Sequence, residues 1–151
     1  MTISRGTRIY SAALIAMGAY NLIGVGKYGE FARLFEGVHH IAVKGVYVFT
    51  IFYGICSVYC GARLLRLEEW ARKVIVALTS LSVLIGITLN RTVLDNFREL
   101  LFSGELAGIT GDMAAPVYRY TVVFTALVTL FEISVVYYFT RSDIRKQFKQ
   151  S

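Results

Sequence analysis

In the run TALVTLFEISVVYY, residues 125–138, one carboxylate, Glu132, stands among apolar residues. An ionisable group in such a setting can hold a proton or a cation, or can act as an acceptor that pins helices to one another. Thr121, Thr125, Thr129 and Glu132 follow at intervals of four, four and three residues, which on a helix puts them within about 80° of one another. That spacing predicts a polar stripe turned into a bundle. Groups at similar depth on neighbouring segments are Tyr53 and Ser57, then Thr79, Ser80 and Ser82. The expected network is Glu132 with Thr129, Thr125, Tyr53, Ser57 and Ser80. A carboxylate at mid-membrane costs roughly 2.5–3.5 kcal/mol on insertion scales, so it needs such hydroxyls or a wet cavity.

Other reactive residue types are sparse. Cys56 and Cys60 lie one helical turn apart, a poor spacing for a disulfide within one helix, and are expected to be small packing residues. Their CSVYC run is not the Cys-x-x-Cys of the four-helix quinone-coupled disulfide enzymes. His39 and His40 are adjacent, so on a helix they point about 100° apart and cannot both ligate one ion. Glu36 and His40 do have a four-residue spacing, with Asp95, Glu99 and Asp112 available from the other connection on that side, and are the weak metal candidates. The expectation is nevertheless no metal, no haem and no other cofactor. GVGKYG, residues 24–29, spells Gly-x-Gly-x-x-Gly but follows no strand, so a dinucleotide site is rejected. Gly18, Gly24 and Gly26, and the pair Ser57 and Gly61, are expected to let helices approach closely.

The elements that must hold these residues are membrane helices. The 151-residue chain is 56% hydrophobic and only 17% charged, which is too apolar for an ordinary soluble domain. Apart from Glu132, four segments are free of charge: about 9–26, 45–62, 74–90 and 120–140. Each is long enough, at about 1.5 Å per residue, to match a hydrocarbon core of about 30 Å. Backbone groups in lipid must be satisfied within their own segment, so the predicted fold class is an all-α integral membrane protein, a single domain of four transmembrane helices in a bundle.

The placement of sixteen Lys and Arg residues sets the predicted orientation. Arg5, Arg8, Arg63, Arg66, Arg72, Lys73, Arg141, Arg145, Lys146 and Lys149 fall on one side, against Lys27, Arg33, Lys44, Arg91, Arg98 and Arg119 on the other. By the positive-inside rule both termini are cytoplasmic, with the plasma membrane as the expected location. The cations form no groove-lining cluster, so nucleic acid is not an expected partner. The first apolar run is too long for a typical signal h-region and is expected to be retained.

The connections carry patterns of their own. Phe31, Leu34, Phe35, Val38 and Ile41 recur at three and four residues, predicting an outer amphipathic helix over about 28–43. Leu94, Phe97, Leu100 and Leu101 predict a second over about 92–103, ended by Ser103-Gly104, with a small-residue loop leading to Pro116 in the first turn of the last helix. RLLRLEEWARK reads as a tight helical hairpin with Glu68–Arg72 and Glu69–Lys73 pairs and Trp70 at headgroup level. The basic tail, 141–151, sets Ile144 and Phe148 on one side, suiting an anionic inner leaflet or an acidic partner.

Small multidrug exporters also have four short helices and one membrane glutamate, but theirs belongs to the first helix, which here has none. DoxX-like proteins share the size and topology, without a residue pattern that singles them out. With no nucleophile–base pair in view, the leading expectation is a non-catalytic membrane subunit that packs against or stabilises larger membrane proteins. Its contacts would be Phe31, Phe35 and Phe97 outside and Arg145, Lys146 and Lys149 inside, beside the lipid bilayer itself. The alternatives are a small oligomeric transporter or channel working through Glu132, and an enzyme of lipid or quinone chemistry using His39, His40, Glu36 or Asp112.

Overall fold

The computed structural model describes residues 3–26, 28–103 and 111–149. Among these residues are six helices: α1 (Arg5–Gly24), α2 (Tyr28–Arg33), α3 (His40–Leu64), α4 (Glu69–Phe102), α5 (Gly111–Thr140) and α6 (Ser142–Lys149). There is no strand among them, so the all-helical class stands. Three helices, α3, α4 and the Met113–Thr140 part of α5, are long and apolar enough to cross a membrane. The shorter α1 is not among them, because Arg5, Arg8 and Asn21 dilute its apolar residues.

The long helices pack in chain order, α1 on α3, α3 on α4 and α4 on α5. Tyr10 closes the ring by stacking on Tyr138 of α5 at 4.6 Å. Apolar packing concentrates at the end where α1 begins and α5 ends, with Leu14, Cys60, Leu64, Ala71, Ile75, Val135 and Phe139 in one cluster. At the same end the Ser4 side chain caps α1 and meets the Tyr138 hydroxyl at 3.0 Å. The seam between α1 and α3 is built on small residues. A Cβ on Gly18 would stand 2.6 Å from the Gly54 carbonyl oxygen, and one on Gly61 would stand 2.7 Å from Ile15 Cγ1. Gly24 takes no part in such an approach, having open space where its Cβ would be, and Gly26 adopts φ +54° just beyond α1.

Several boundaries differ from the sequence reading. Residues 28–43 do not form one amphipathic helix: α2 stops at Arg33, Gly37 turns the chain at φ +83°, and α3 opens at His40. The three- and four-residue apolar spacing survives a turn because successive short-range bonds, such as Val38 N–H to the Phe35 carbonyl, keep a helix-like pitch. Residues 92–103 are not a separate surface helix but the last part of α4. Nothing between Asn90 and Phe102 breaks or caps a helix, and the inward face simply continues to Leu101, which is buried. The last helix starts at Gly111, so Pro116 lies inside it instead of in its first turn, and Ala114 and Ala115 are helical. The predicted stop at Ser103 holds, while Gly104 and Gly108 lie outside the described residues.

The hairpin between α3 and α4 is tight, with Leu67 at φ 57°. Its pairing differs from the expected four-residue ladder. Glu68 accepts from Arg63 at 2.9 Å and from the Trp70 indole N–H at 2.6 Å, not from Arg72. Arg72 instead reaches Glu69 at 2.7 Å, and Lys73 stands 3.8 Å from the same carboxylate. Ile144 and Phe148 of α6 are buried in the bundle's own cluster, so they are not the lipid-facing pair expected of the tail. Arg145, Lys146 and Lys149 are exposed. On the opposite end Phe35 is buried, stacked at 4.8 Å on the half-buried Phe31, and is not available as a surface contact. Asn96 holds the turn over it by donating to the carbonyls of Leu34 at 3.1 Å and Glu36 at 3.0 Å. Phe97 is half-buried.

Candidate functional site

Midway along the bundle the inward faces stop being apolar. On α4 the face runs Ile75, Thr79, Ser82, Gly86, and on α5 it runs Thr125, Val128, Glu132, Val135, Phe139, each at alternating steps of three and four. Glu132 is 7% exposed. The Ser82 hydroxyl donates to its Oε1 at 2.8 Å, across from α4 to α5. On the α3 side Tyr53 and Thr79 share a hydroxyl–hydroxyl bond of 3.3 Å.

Glu132, Ser82 and Tyr53 border a cavity of about 260 Å³ to which all four long helices contribute. Its polar lining is Asn21, Thr50, Tyr53, Ser82, Thr125, Thr129 and Glu132, and its apolar lining is Met17, Phe49, Gly86, Phe124 and Val128. None of the lining residues is basic, so an ionised Glu132 has no positive side chain to balance it there. Towards the Arg5 end the buried Leu14, Ile75, Val135 and Phe139 close the bundle. The result is a partly open cavity with a largely apolar wall, a single carboxyl among its hydroxyls, and a tightly packed floor.

Of the six network residues expected from sequence, Glu132, Thr129, Thr125 and Tyr53 meet at this cavity and two do not. Ser80 sits two residues, about 200°, from Ser82 on the helix, bonds the Val76 carbonyl at 2.8 Å and lines a separate groove between α4 and α5. Ser57 does not line the cavity; it is buried against Gly18 in the α1–α3 seam, with its hydroxyl beside that of Tyr53. Thr129 also turns part of its polarity inward along its own helix, bonding the Thr125 carbonyl at 3.0 Å. Ser82 takes the place expected for Ser80, and the face Ile75–Thr79–Ser82–Gly86 is the signal that selects it. Asn21 and Thr50 are further lining residues that depth matching from Glu132 alone did not reach.

At the opposite end the histidines serve local structure. His39 caps α3, its Nδ1 accepting from the Ile41 N–H at 3.4 Å, and its ring lies 4.8 Å from that of His40. Glu36 and His40 are exposed, and the side chain of Asp112 lies outside the described residues. No group of three or more His, Cys, Asp or Glu side chains able to hold a metal ion occurs among the described residues. Cys56 is half-buried, Cys60 is buried, and both are free thiols. Comparison with protein-family models, with curated proteins and with solved structures finds no match to this chain.

Proposed function

We propose that this chain is a small membrane transporter or channel that binds and releases a proton or cation at Glu132. The observation that carries the reading is the cavity beside the buried carboxylate, lined by hydroxyls and by no cation. A carboxylate kept only to pin helices is served by a closed set of hydrogen bonds and gains nothing from an adjoining chamber. One that exchanges an ion needs such a chamber. In this reading α1 is the fourth span, since its 20 residues reach about 30 Å and it lies along α3 between α3 and the aromatic contact to α5. The end that gathers Arg5, Arg8, Arg63, Arg66 and the α6 cations is cytoplasmic, and the membrane is the plasma membrane.

The test is ion flux in proteoliposomes loaded with a pH-sensitive dye, under an imposed membrane potential. The wild-type chain is expected to dissipate the gradient and Glu132→Gln to fail while its helix content and melting temperature are kept. Equal flux through both would end the reading.

A second reading, a non-catalytic subunit packed against larger membrane proteins, draws on the exposed Arg145, Lys146 and Lys149. Docking of Ile144 and Phe148 on the bundle holds these cations outward on a fixed helix. Native mass spectrometry after mild extraction tests it: stoichiometric larger subunits favour it, and a lone homo-oligomer excludes it.

A further inference from the structure

The floor of the bundle blocks a metal ion but not a proton. Leu14, Ile75, Val135 and Phe139, none more than 1% exposed, fill the section between the cavity and the Arg5 end. A bare or hydrated metal cation passes there only by prising apart close-packed side chains. Hydroxyls run through the same section. Apart from Arg72 at the hairpin and the Tyr53 hydroxyl, the buried polar side chains among the described residues are Thr7, Ser11, Ser57, Thr79 and Glu132. At the Arg5 end the half-buried Ser4 lies 2.8 Å from the Thr7 hydroxyl and 3.0 Å from that of Tyr138, and Thr7 and Tyr138 stand 3.3 Å apart. Ser11 follows Thr7 by one turn on the buried face of α1. It is fully buried, and its hydroxyl has no partner among the described residues. Its carbonyl faces Gly61 of α3, where a Cβ would stand 3.0 Å from it. Ser57 lies one turn from Gly61 on the cavity side, with its hydroxyl beside that of Tyr53, and Tyr53 stands beside the Glu132 carboxyl.

Resting on the reading of Glu132 as an ion-binding carboxylate, we propose that its ion is a proton and that Thr7, Ser11, Ser57 and Tyr53 form a hydroxyl relay joining Glu132 to the Arg5 end through the packed floor. Ser4 and Tyr138 are its mouth. Side chains one helical turn apart are separated by about 5–6 Å. That is too long for one hydrogen bond and matches two in series, hydroxyl to water to hydroxyl, at about 2.8 Å each. A buried hydroxyl ordinarily has a partner, and the lone hydroxyl of Ser11, in a seam where alanine would pack as closely, is accounted for by such a water. Each hydroxyl gives its proton to the next oxygen and takes one from the group before it. Net, one proton leaves water at the Arg5 end and arrives on the Glu132 carboxylate, and only O–H bonds form and break. The cavity, which extends from Glu132 to Asn21 and Gly86, serves the opposite side. The relay therefore passes hydrogen and holds back every larger cation.

The experiment uses the full chain in proteoliposomes and compares the wild type with Ser11→Ala, Thr7→Val and Thr7→Ser. Ser11→Ala removes one oxygen and Thr7→Val exchanges a hydroxyl for a methyl group, so both keep the packing. Proton flux under an imposed potential is expected to fall at least tenfold in each, and Thr7→Ser, which keeps the hydroxyl, should recover it relative to Thr7→Val. Infrared difference spectra of the same variants supply a readout that a merely structural role would not spare. The Glu132 carboxyl band should titrate with the wild-type midpoint in all of them, because the cavity still reaches it. Sodium and potassium gradients at constant pH should drive no current through the wild type. Proton flux within twofold of the wild type in either Ser11→Ala or Thr7→Val overturns the relay, and a sodium or potassium current as large as that of protons overturns the proton. Glu132→Gln separates these failures from that of the underlying reading. Flux abolished in Glu132→Gln leaves Glu132 as the ion site without the relay, whereas equal flux in Glu132→Gln and wild type, or none in the wild type, removes both.

Discussion

The Ser82 hydroxyl donates to Glu132 Oε1 at 2.8 Å and so joins α4 to α5 where the apolar packing of Ile75 and Val135 gives way to the cavity. Interhelical hydrogen bonds in membranes average about 0.6 kcal/mol and reach about 1.7 kcal/mol, and a short bond between buried partners belongs near the upper figure. Ser82→Ala is therefore expected to lower the unfolding free energy by about 1–2 kcal/mol, with Ser82→Thr restoring most of it. Unfolding in mixed micelles measures both. An unchanged midpoint for Ser82→Ala would mean that the bond is replaced by water from the chamber.

Gly18 and Gly24 make an internally controlled pair, because both lie in α1 and only one meets a neighbour. At Gly18 a methyl group would press on the Gly54 carbonyl and on Ser57 Cβ, 2.6 and 3.0 Å away, and backbone cannot rotate aside. Gly18→Ala should cost about 1–3 kcal/mol as α1 is pushed off α3. Gly24→Ala, with open space around it, should be neutral or slightly stabilising, since glycine is the poorer helix former. Melting temperatures in one detergent compare the two, and equal shifts would deny the Gly18–Gly54 crossing any special weight.

The helical class and the inward stripe of α5 were legible because both are periodic. Charge-free runs of membrane length mark the helices, and the four-, four- and three-residue spacing up to Glu132 marks the face. Where helices begin and end was less legible. Gly37 reverses nothing in the apolar pattern around it, so 28–43 reads as one helix until its left-handed φ is seen. The C-terminal part of α4 keeps its amphipathic period without any breaker, so a change of composition along one helix looks like a change of element. Within the site, depth matching narrows α4 to Thr79, Ser80 and Ser82 but cannot choose, because the choice is one of helix rotation. Ile75 and Gly86 resolve it: with Thr79 and Ser82 they form one face, and Ser80 falls on the other side. Ser57, a hydroxyl at the right depth beside Tyr53, packs against Gly18 in the α1–α3 seam and so stands behind the cavity wall.

Glu68 gives a pH dependence with a definite sign. Desolvation at the hairpin pushes its carboxyl up, but the bonds from Arg63 and Trp70 and the charges of Arg63 and Arg66 outweigh this, and the folded chain holds it below the usual carboxylate range. The unfolded chain therefore takes up the proton first. The stability this linkage contributes is fully present above the unfolded value, about 4.3, and is lost as pH falls through the lower folded value. Wild-type melting temperature should fall across that acid window more than that of Glu68→Gln, with the two curves parallel from pH 6 upwards. Parallel curves throughout would show that the Arg63 and Trp70 contacts do not bias the charge of Glu68.

Arg72 is the buried cation among the described residues, 6% exposed, and its contacts are directional. Nε and Nη2 grip the Glu69 carboxylate at 2.8 and 2.7 Å, and Nη1 donates to the Phe139 carbonyl at 2.9 Å. That carbonyl lies in the last turn of α5, where no helical N–H follows to satisfy it and where the helix dipole favours a positive charge. One guanidinium thus closes α5, fixes the start of α4 and holds the point where α6 folds back. Lysine keeps the charge but cannot serve a carboxylate fork and a carbonyl together. Arg72→Leu should cost about 2–4 kcal/mol, since it leaves a buried carbonyl unpaired, and Arg72→Lys should fall between it and the wild type. Glu69 is 25% exposed and can be rehydrated, which favours the lower part of that range. The second readout is tryptic cleavage after Arg141 and Arg145, which should accelerate in Arg72→Leu as α6 loses its seat. A double-mutant cycle with Glu69→Ala separates the two contacts, because only the bond to Phe139 survives in the single Glu69→Ala chain. If Arg72→Leu melts with the wild type and α6 is cut no faster, the guanidinium is not what holds this end together.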